Sequence, residues 1–228
     1  MICVVIYHSI VFWTGTWDVI EPPVYSSNGL LIIAKWLNSF HIYGFALCSG
    51  YLYSYIKNEN NGYLVYKDFV STKFKRLIIP YIFVAAIWAV PISIAVDGLK
   101  TFDVIERYVF TTNPSQLWFL WMLFDLFIIV WPLTKYLQKD AREVLISVVF
   151  FLVGVVGSAL LPNVFRIWTA FSYLPFFIVG MKLREKPIGF CGKSPFVATF
   201  LLMECFLQHN FTFQINMAAN SARTVRLF

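Results

Sequence analysis

Charge is scarce in this chain. Only 13% of its 228 residues are Asp, Glu, Lys or Arg, against roughly a quarter in a soluble domain. A water-facing surface cannot be built from so few ions. The 59% hydrophobic fraction makes lipid the solvent, and with most residues consumed by spans no separate soluble domain is expected. Cysteine is scarce too. Cys3, Cys48, Cys191 and Cys205 are scattered and form no Cys-x-x-Cys pair, which argues against a disulfide framework or a zinc site. The chain carries no phosphate-binding loop, dinucleotide fingerprint, nucleophile elbow or zinc-protease motif. Nucleoside-triphosphate use and metal-dependent proteolysis therefore have no support, and no metal cofactor is expected. The net charge of +6 is modest and reads as topology and anion binding, with no nucleic-acid partner. The first apolar run has no basic segment before it, so a cleavable signal peptide is not expected.

What the chain has is long apolar runs. A helix needs about 20 such residues to cross hydrocarbon. Runs of this kind occupy residues 1–17, 36–56, 77–96, 116–134, 144–165, 167–181 and 195–213. The expected fold is all-α, a polytopic transmembrane bundle of about seven spans. It would form one incomplete membrane domain over residues 1–213, followed by a short polar tail over 214–228. The run 167–181 is short, and Arg166 and Lys182 at its ends are expected to snorkel. Basic loops alternate with neutral or acidic ones. Lys57, Lys67, Lys73, Lys75 and Arg76 fill the loop 57–76, whereas 97–115 is slightly acidic. Lys135, Lys139 and Arg142 follow the fourth run, and Lys182, Arg184, Lys186 and Lys193 follow the sixth. The positive-inside rule then places the N-terminus in the cytoplasm of a cell with the chain in its inner membrane. Tryptophans near the ends of runs (Trp36, Trp118, Trp131, Trp168) suit an interfacial belt against membrane lipid.

Against this background two histidines stand out. His8 and His41 lie inside otherwise uncharged runs, where ionisable groups are costly and are functional candidates by default. Their spans run antiparallel with one connection between them. Counting about 1.5 Å per residue, His41 lies about 9 Å below the outer end and His8, nine residues before Trp17, at similar depth, so they can share a pocket. One reading is a general base with a helper; the other is two histidines hydrogen-bonding to neighbouring helices. The sequence Lys73-Phe74-Lys75-Arg76 puts three cations at the mouth of the third span. They suit a clamp on phosphates but equally an ordinary positive-inside anchor. Ser49-Gly50-Tyr51 offers small residues for close helix packing. Asp125 and Glu204 are single acids within runs, each able to orient a base or to face a solvated cleft.

Four passages, in order, resemble the membrane acyltransferase-3 family, the bacterial O-acyltransferases of cell-surface glycans. They are Val4-Val5-Ile6-Tyr7-His8; Ser39-Phe40-His41 followed by Phe45 through Leu52; Phe69 through Lys73-Phe74-Lys75-Arg76-Leu77-Ile78-Ile79-Pro80-Tyr81; and Gln116-Leu117-Trp118-Phe119-Leu120. They cover residues 1–135, and the later runs match in character only. The resemblance implies an acyl group, acetyl by expectation, moved from acyl-CoA to a sugar hydroxyl of an envelope polysaccharide or glycolipid. It implies His8 as the catalytic base and His41 as the second histidine of the site. It also implies Lys73, Lys75 and Arg76 on the acyl-CoA donor, and a glycan acceptor as partner. The seven residues before His8 hold no arginine, whereas the family has one upstream of its first histidine, and the family has more spans. The chain is thus expected to be truncated at both ends. A proton-coupled transporter using the histidines and Asp125, or an inactive membrane fragment, are the alternatives. A transporter would be expected to show inverted repeats, and the sequence has none.

Overall fold

A computed structural model describes residues 2–10, 27–59, 63–97, 100–102, 117–137 and 140–185. All regular structure among the described residues is helical, as the apolar runs require. Glu204, Cys191, Cys205, the run 195–213, the tail 214–228, the turn at Asn60-Asn61-Gly62 and most of the loop 97–115 lie outside them. The chain divides into two compact units, one of residues 1–45 with 201–228, the other of residues 46–200.

The first unit contains α1 (Ile2–Ile10) and the start of α2 (Asn28–Glu59). Ser27 begins α2: its Oγ accepts the Leu30 N–H at 3.4 Å and its carbonyl accepts the Leu31 N–H at 3.0 Å. Serine is suited to this position because its short side chain reaches amides that the first helical turn leaves unpaired.

The second unit begins with the rest of α2. Then come α3 (Tyr66–Lys73), α4 (Ile79–Val84) and α5 (Val90–Asp97), joined by π-helical turns at Phe74–Ile78 and Ala85–Ala89. Each π turn ends shortly before a proline, Pro80 or Pro91. Proline has no N–H, and its ring collides with the carbonyl four residues back. Widening the preceding turn relieves both: the Ile79 and Val90 amides bond five residues back, to Phe74 O and Ala85 O.

The remaining helices are α6 (Trp118–Leu133), α7 (Asp140–Leu160) and α8 (Ile167–Glu185). Of the described helices, Asn28–Glu59, Arg142–Leu160 and Val164–Glu185 are long and apolar enough to cross a membrane, and Trp118–Leu133 is a shorter apolar helix. The run 144–165 is not one helix to its end. α7 stops at Leu160, because Pro162 pushes Leu161 out of the helical region. Asn163 then starts the next segment: its Oδ1 accepts the Trp168 N–H at 3.1 Å and its Nδ2 donates to Thr169 Oγ1 at 2.7 Å. Between them Phe165 and Arg166 adopt left-handed backbone, φ 52° and 62°, a conformation that disfavours side chains with a Cβ. Lys182 is tethered, contrary to the snorkelling expectation. Its Nζ lies 2.6 Å from Glu143 and 2.9 Å from Glu185, and α8 continues to Glu185.

α8 is the central helix of this unit, buried at every residue from Ser172 to Met181. Glycines let its neighbours approach. A Cβ on Gly50 would strike the Phe177 carbonyl, and one on Gly180 would strike the Leu47 carbonyl. Gly154 and Gly157 of α7 likewise face Ser172 and Trp168. Lipid tails are as apolar as leucine, so membrane helices associate through such close packing. α6 runs antiparallel to residues 66–89. Its ring pairs are Trp131–Tyr66 at 4.9 Å, Phe127–Phe69 at 6.1 Å, Phe124–Phe74 at 6.0 Å and Trp121–Tyr81 at 5.6 Å.

Candidate functional site

In the first unit α1 carries Tyr7 and His8, and α2 carries His41. The Tyr7 ring stands edge-on to His8 at 5.0 Å and lies tilted against His41 at 5.2 Å. The phenol ring thus contacts both imidazoles. His41 Nδ1 is 2.7 Å from the Leu37 carbonyl, one turn back on its own helix. A carbonyl only accepts, so Nδ1 carries the hydrogen. Nε2 of the neutral ring then holds the lone pair, the arrangement of a proton acceptor. Tyr7 lies in the first of the four resembling passages, which gives it no role of its own.

The basic cluster belongs to the second unit and divides in two. Lys75 and Arg76 are exposed, while Lys73 is half-buried. The Lys73 ammonium lies 3.7 Å from the Phe127 ring centre, 5.0 Å from Tyr63 and 5.6 Å from Phe69. Phe69 and Lys73 are one turn apart on α3 and share its inner face. The π turn begins at the next residue and alters the rotation that presents Lys75 and Arg76. Burial, and secondarily the Arg76 charge, lower the Lys73 pKa from 10.5 to about 8. The rings act in the opposite sense, since their negative faces attract an ammonium. Lys73 is level with Phe127, about 9 Å along α6 from Leu133 at 1.5 Å per residue.

Tyr63 completes this arrangement. Its backbone is left-handed, φ 67°, and its carbonyl accepts the Trp131 indole N–H at 2.9 Å. Its ring stacks on Tyr53 at 5.6 Å, and Tyr53 also packs on Phe69, Phe127 and Phe177. Burial raises the Tyr63 phenol above its ordinary 10, opposed by the positive charge of Arg76. Lys57 lies over Tyr53 at 5.9 Å and donates to Thr134 Oγ1 at 2.7 Å. An open cavity of about 330 Å³ is lined by Tyr63, Leu64, Val65, Asp68, Phe69 and Thr72. Tyr63 and Phe69 therefore face both this cavity and the caged ammonium.

The other singled-out residues are placed as follows. Gly50 serves the close contact with α8 described above. Trp118, in the fourth passage, packs edge-on against Tyr173 at 6.2 Å. Asp125 sits in α6 with its Oδ2 buried and without a hydrogen-bond partner among the described residues.

A family model described as an acyltransferase domain matches residues 1–227. No curated protein and no solved structure matches the chain. The family match takes in His8, His41 and the whole basic cluster, and the described helices are those of a membrane protein. The chain belongs to the acyltransferase-3 family of membrane acyltransferases.

Proposed function

We propose that the protein moves an acyl group, acetyl in the first instance, from acyl-CoA to a sugar hydroxyl of an envelope polysaccharide or glycolipid. It would do so in the inner membrane with its N-terminus in the cytoplasm. The observation that carries the chemistry is the cluster His8–Tyr7–His41, which holds two imidazoles against one ring in a family of acyltransferases.

An unassisted sugar hydroxyl is a weak nucleophile. His8 takes its proton as the oxygen attacks the thioester carbonyl. The tetrahedral intermediate then collapses, the carbon–sulfur bond breaks, and the CoA thiolate leaves and recovers the proton. His41, its Nδ1 hydrogen-bonded to the Leu37 carbonyl and its ring against Tyr7, is the second histidine of the site and orients the acceptor. General-base assistance of this kind is worth about 10²–10⁴-fold in rate. The exposed Lys75 and Arg76 offer charge to the CoA phosphates, Arg76 in a geometry suited to two hydrogen bonds on one phosphate.

The test is to express the protein with its natural acceptor glycan and measure ester-linked acetyl groups by mass spectrometry. His8→Ala is expected to abolish them at normal membrane abundance. Undiminished acetylation by that variant would overturn the assignment.

A further inference from the structure

The cavity beside α3 shares two of its walls with the cage around Lys73. Tyr63 and Phe69 both line the cavity and contact the ammonium. Phe127, the ring closest to Lys73, does not line the cavity. Tyr63 lies in the connection between α2 and α3, in left-handed backbone, anchored through its carbonyl to Trp131. Arg76, three residues beyond Lys73, is exposed. Lys73 instead directs its charge onto rings. An ammonium in contact with three aromatic faces would have to give up that attraction to bind a phosphate.

We propose that the cavity beside α3 receives part of the acyl-CoA donor and that Lys73 is a positioning residue for it: its ammonium holds Tyr63 and Phe69 in place as cavity walls and does not bind donor phosphate. This rests on the acyl-CoA reading above and deepens it. The basic cluster then performs two tasks. Lys75 and Arg76 supply charge to the ligand, and Lys73 supplies shape to the cavity.

The experiment measures acetyl-CoA binding to the detergent-solubilised full chain over a range of salt concentrations. Lys73→Met is expected to weaken binding about tenfold, the scale of a lost desolvated cation–ring contact. Its salt dependence should match that of the unaltered protein, because no phosphate contact is lost. Arg76→Met should flatten the salt dependence, because screening acts on charge pairs. Phe127→Leu removes the ring closest to Lys73, which also packs on Phe69, and should reproduce the Lys73→Met loss. The double variant should bind no worse than either single one, since both act through one contact. Lys73→Arg keeps a cation over the rings and should retain binding.

A flattened salt dependence in Lys73→Met would overturn the proposal, as would full binding by Phe127→Leu beside a loss in Lys73→Met. A second readout needs no donor: nitration of Tyr63 by tetranitromethane, followed by peptide mass. It should increase in Lys73→Met and Phe127→Leu but not in Lys75→Met. Unchanged Tyr63 labelling would overturn the proposal even if the unaltered protein bound no acetyl-CoA. Failure of acetyl-CoA binding alone, with increased labelling, would sink the donor reading and leave the positioning role standing.

Discussion

The two regions that hold ionisable side chains do so by different means. In the first unit an imidazole is oriented by one hydrogen bond, His41 Nδ1 to the Leu37 carbonyl, with the Tyr7 ring against both histidines. In the second an ammonium is held by ring faces, those of Phe127, Tyr63 and Phe69. The difference fits the roles proposed above. A histidine that orients an acceptor needs a fixed ring, and one hydrogen bond on Nδ1 fixes it. A cation proposed to shape a cavity needs only to remain charged and in place, and aromatic faces suffice for that.

The sharpest way to separate the regions is to remove the proposed general base. His8→Ala should lower acyl transfer by at least about 100-fold, the lower end of general-base assistance, with donor binding retained. A parallel loss of acetyl-CoA binding in that variant would show that the regions are not separable in function.

The next largest effect strikes the scaffold of the second region. Gly180→Leu places a side chain against the Leu47 carbonyl and should destabilise the fold by about 1–3 kcal/mol through overpacking. Thermal unfolding in detergent measures this. An unchanged midpoint would mean that α2 and α8 are not in close contact.

Tyr7 gives a finer test of the first region. Tyr7→Leu should reduce turnover about tenfold by releasing both imidazoles, a contact energy of the order found for aromatic pairs. Tyr7→Phe, which keeps the ring, should be nearly silent. Equal losses in the two variants would instead assign the role to the hydroxyl.

The smallest effect is a pH dependence peculiar to the lysine cage. Lys73 titrates near 10.5 when unfolded and at about 8 in the folded protein. Between those values the unfolded chain binds more protons, so this group's contribution to stability rises with pH. From pH 7 to 9 Tyr63 stays neutral, because burial holds its phenol above 10. Arg76 on the same helical stretch, Asp68 within α3 and Lys57 over Tyr53 are the other ionisable groups nearby. The unaltered protein should therefore gain a few degrees of melting temperature relative to Lys73→Met across this window. Parallel melting curves would place the Lys73 pKa near its ordinary value.

Much of the fold was legible in the residues. Lipid leaves a spanning chain few options other than helix, so long apolar runs translate directly into helices such as α2, α6 and α7. The family was legible as well, because its motifs are local: His8, Ser39-Phe40-His41, Lys73 through Tyr81, and Leu117-Trp118-Phe119-Leu120. The π turns had a sequence signal in Pro80 and Pro91, which explains them once the helix around them is seen. The end of α7 had one in Pro162, overlooked because the residues beyond it remain apolar.

The sequence by itself determined an all-helical membrane chain, its family, and the residues able to move protons or carry charge. Tertiary structure alone decided that Tyr7 contacts both histidines, that Lys73 turns inward while Lys75 and Arg76 do not, and that α8 is the central helix of its unit. The physical reason is common to all three. In water, an apolar stripe shows which face of a helix is buried. In lipid every face is apolar, so close packing and ring geometry select the partners, and those depend on residues far apart in the chain.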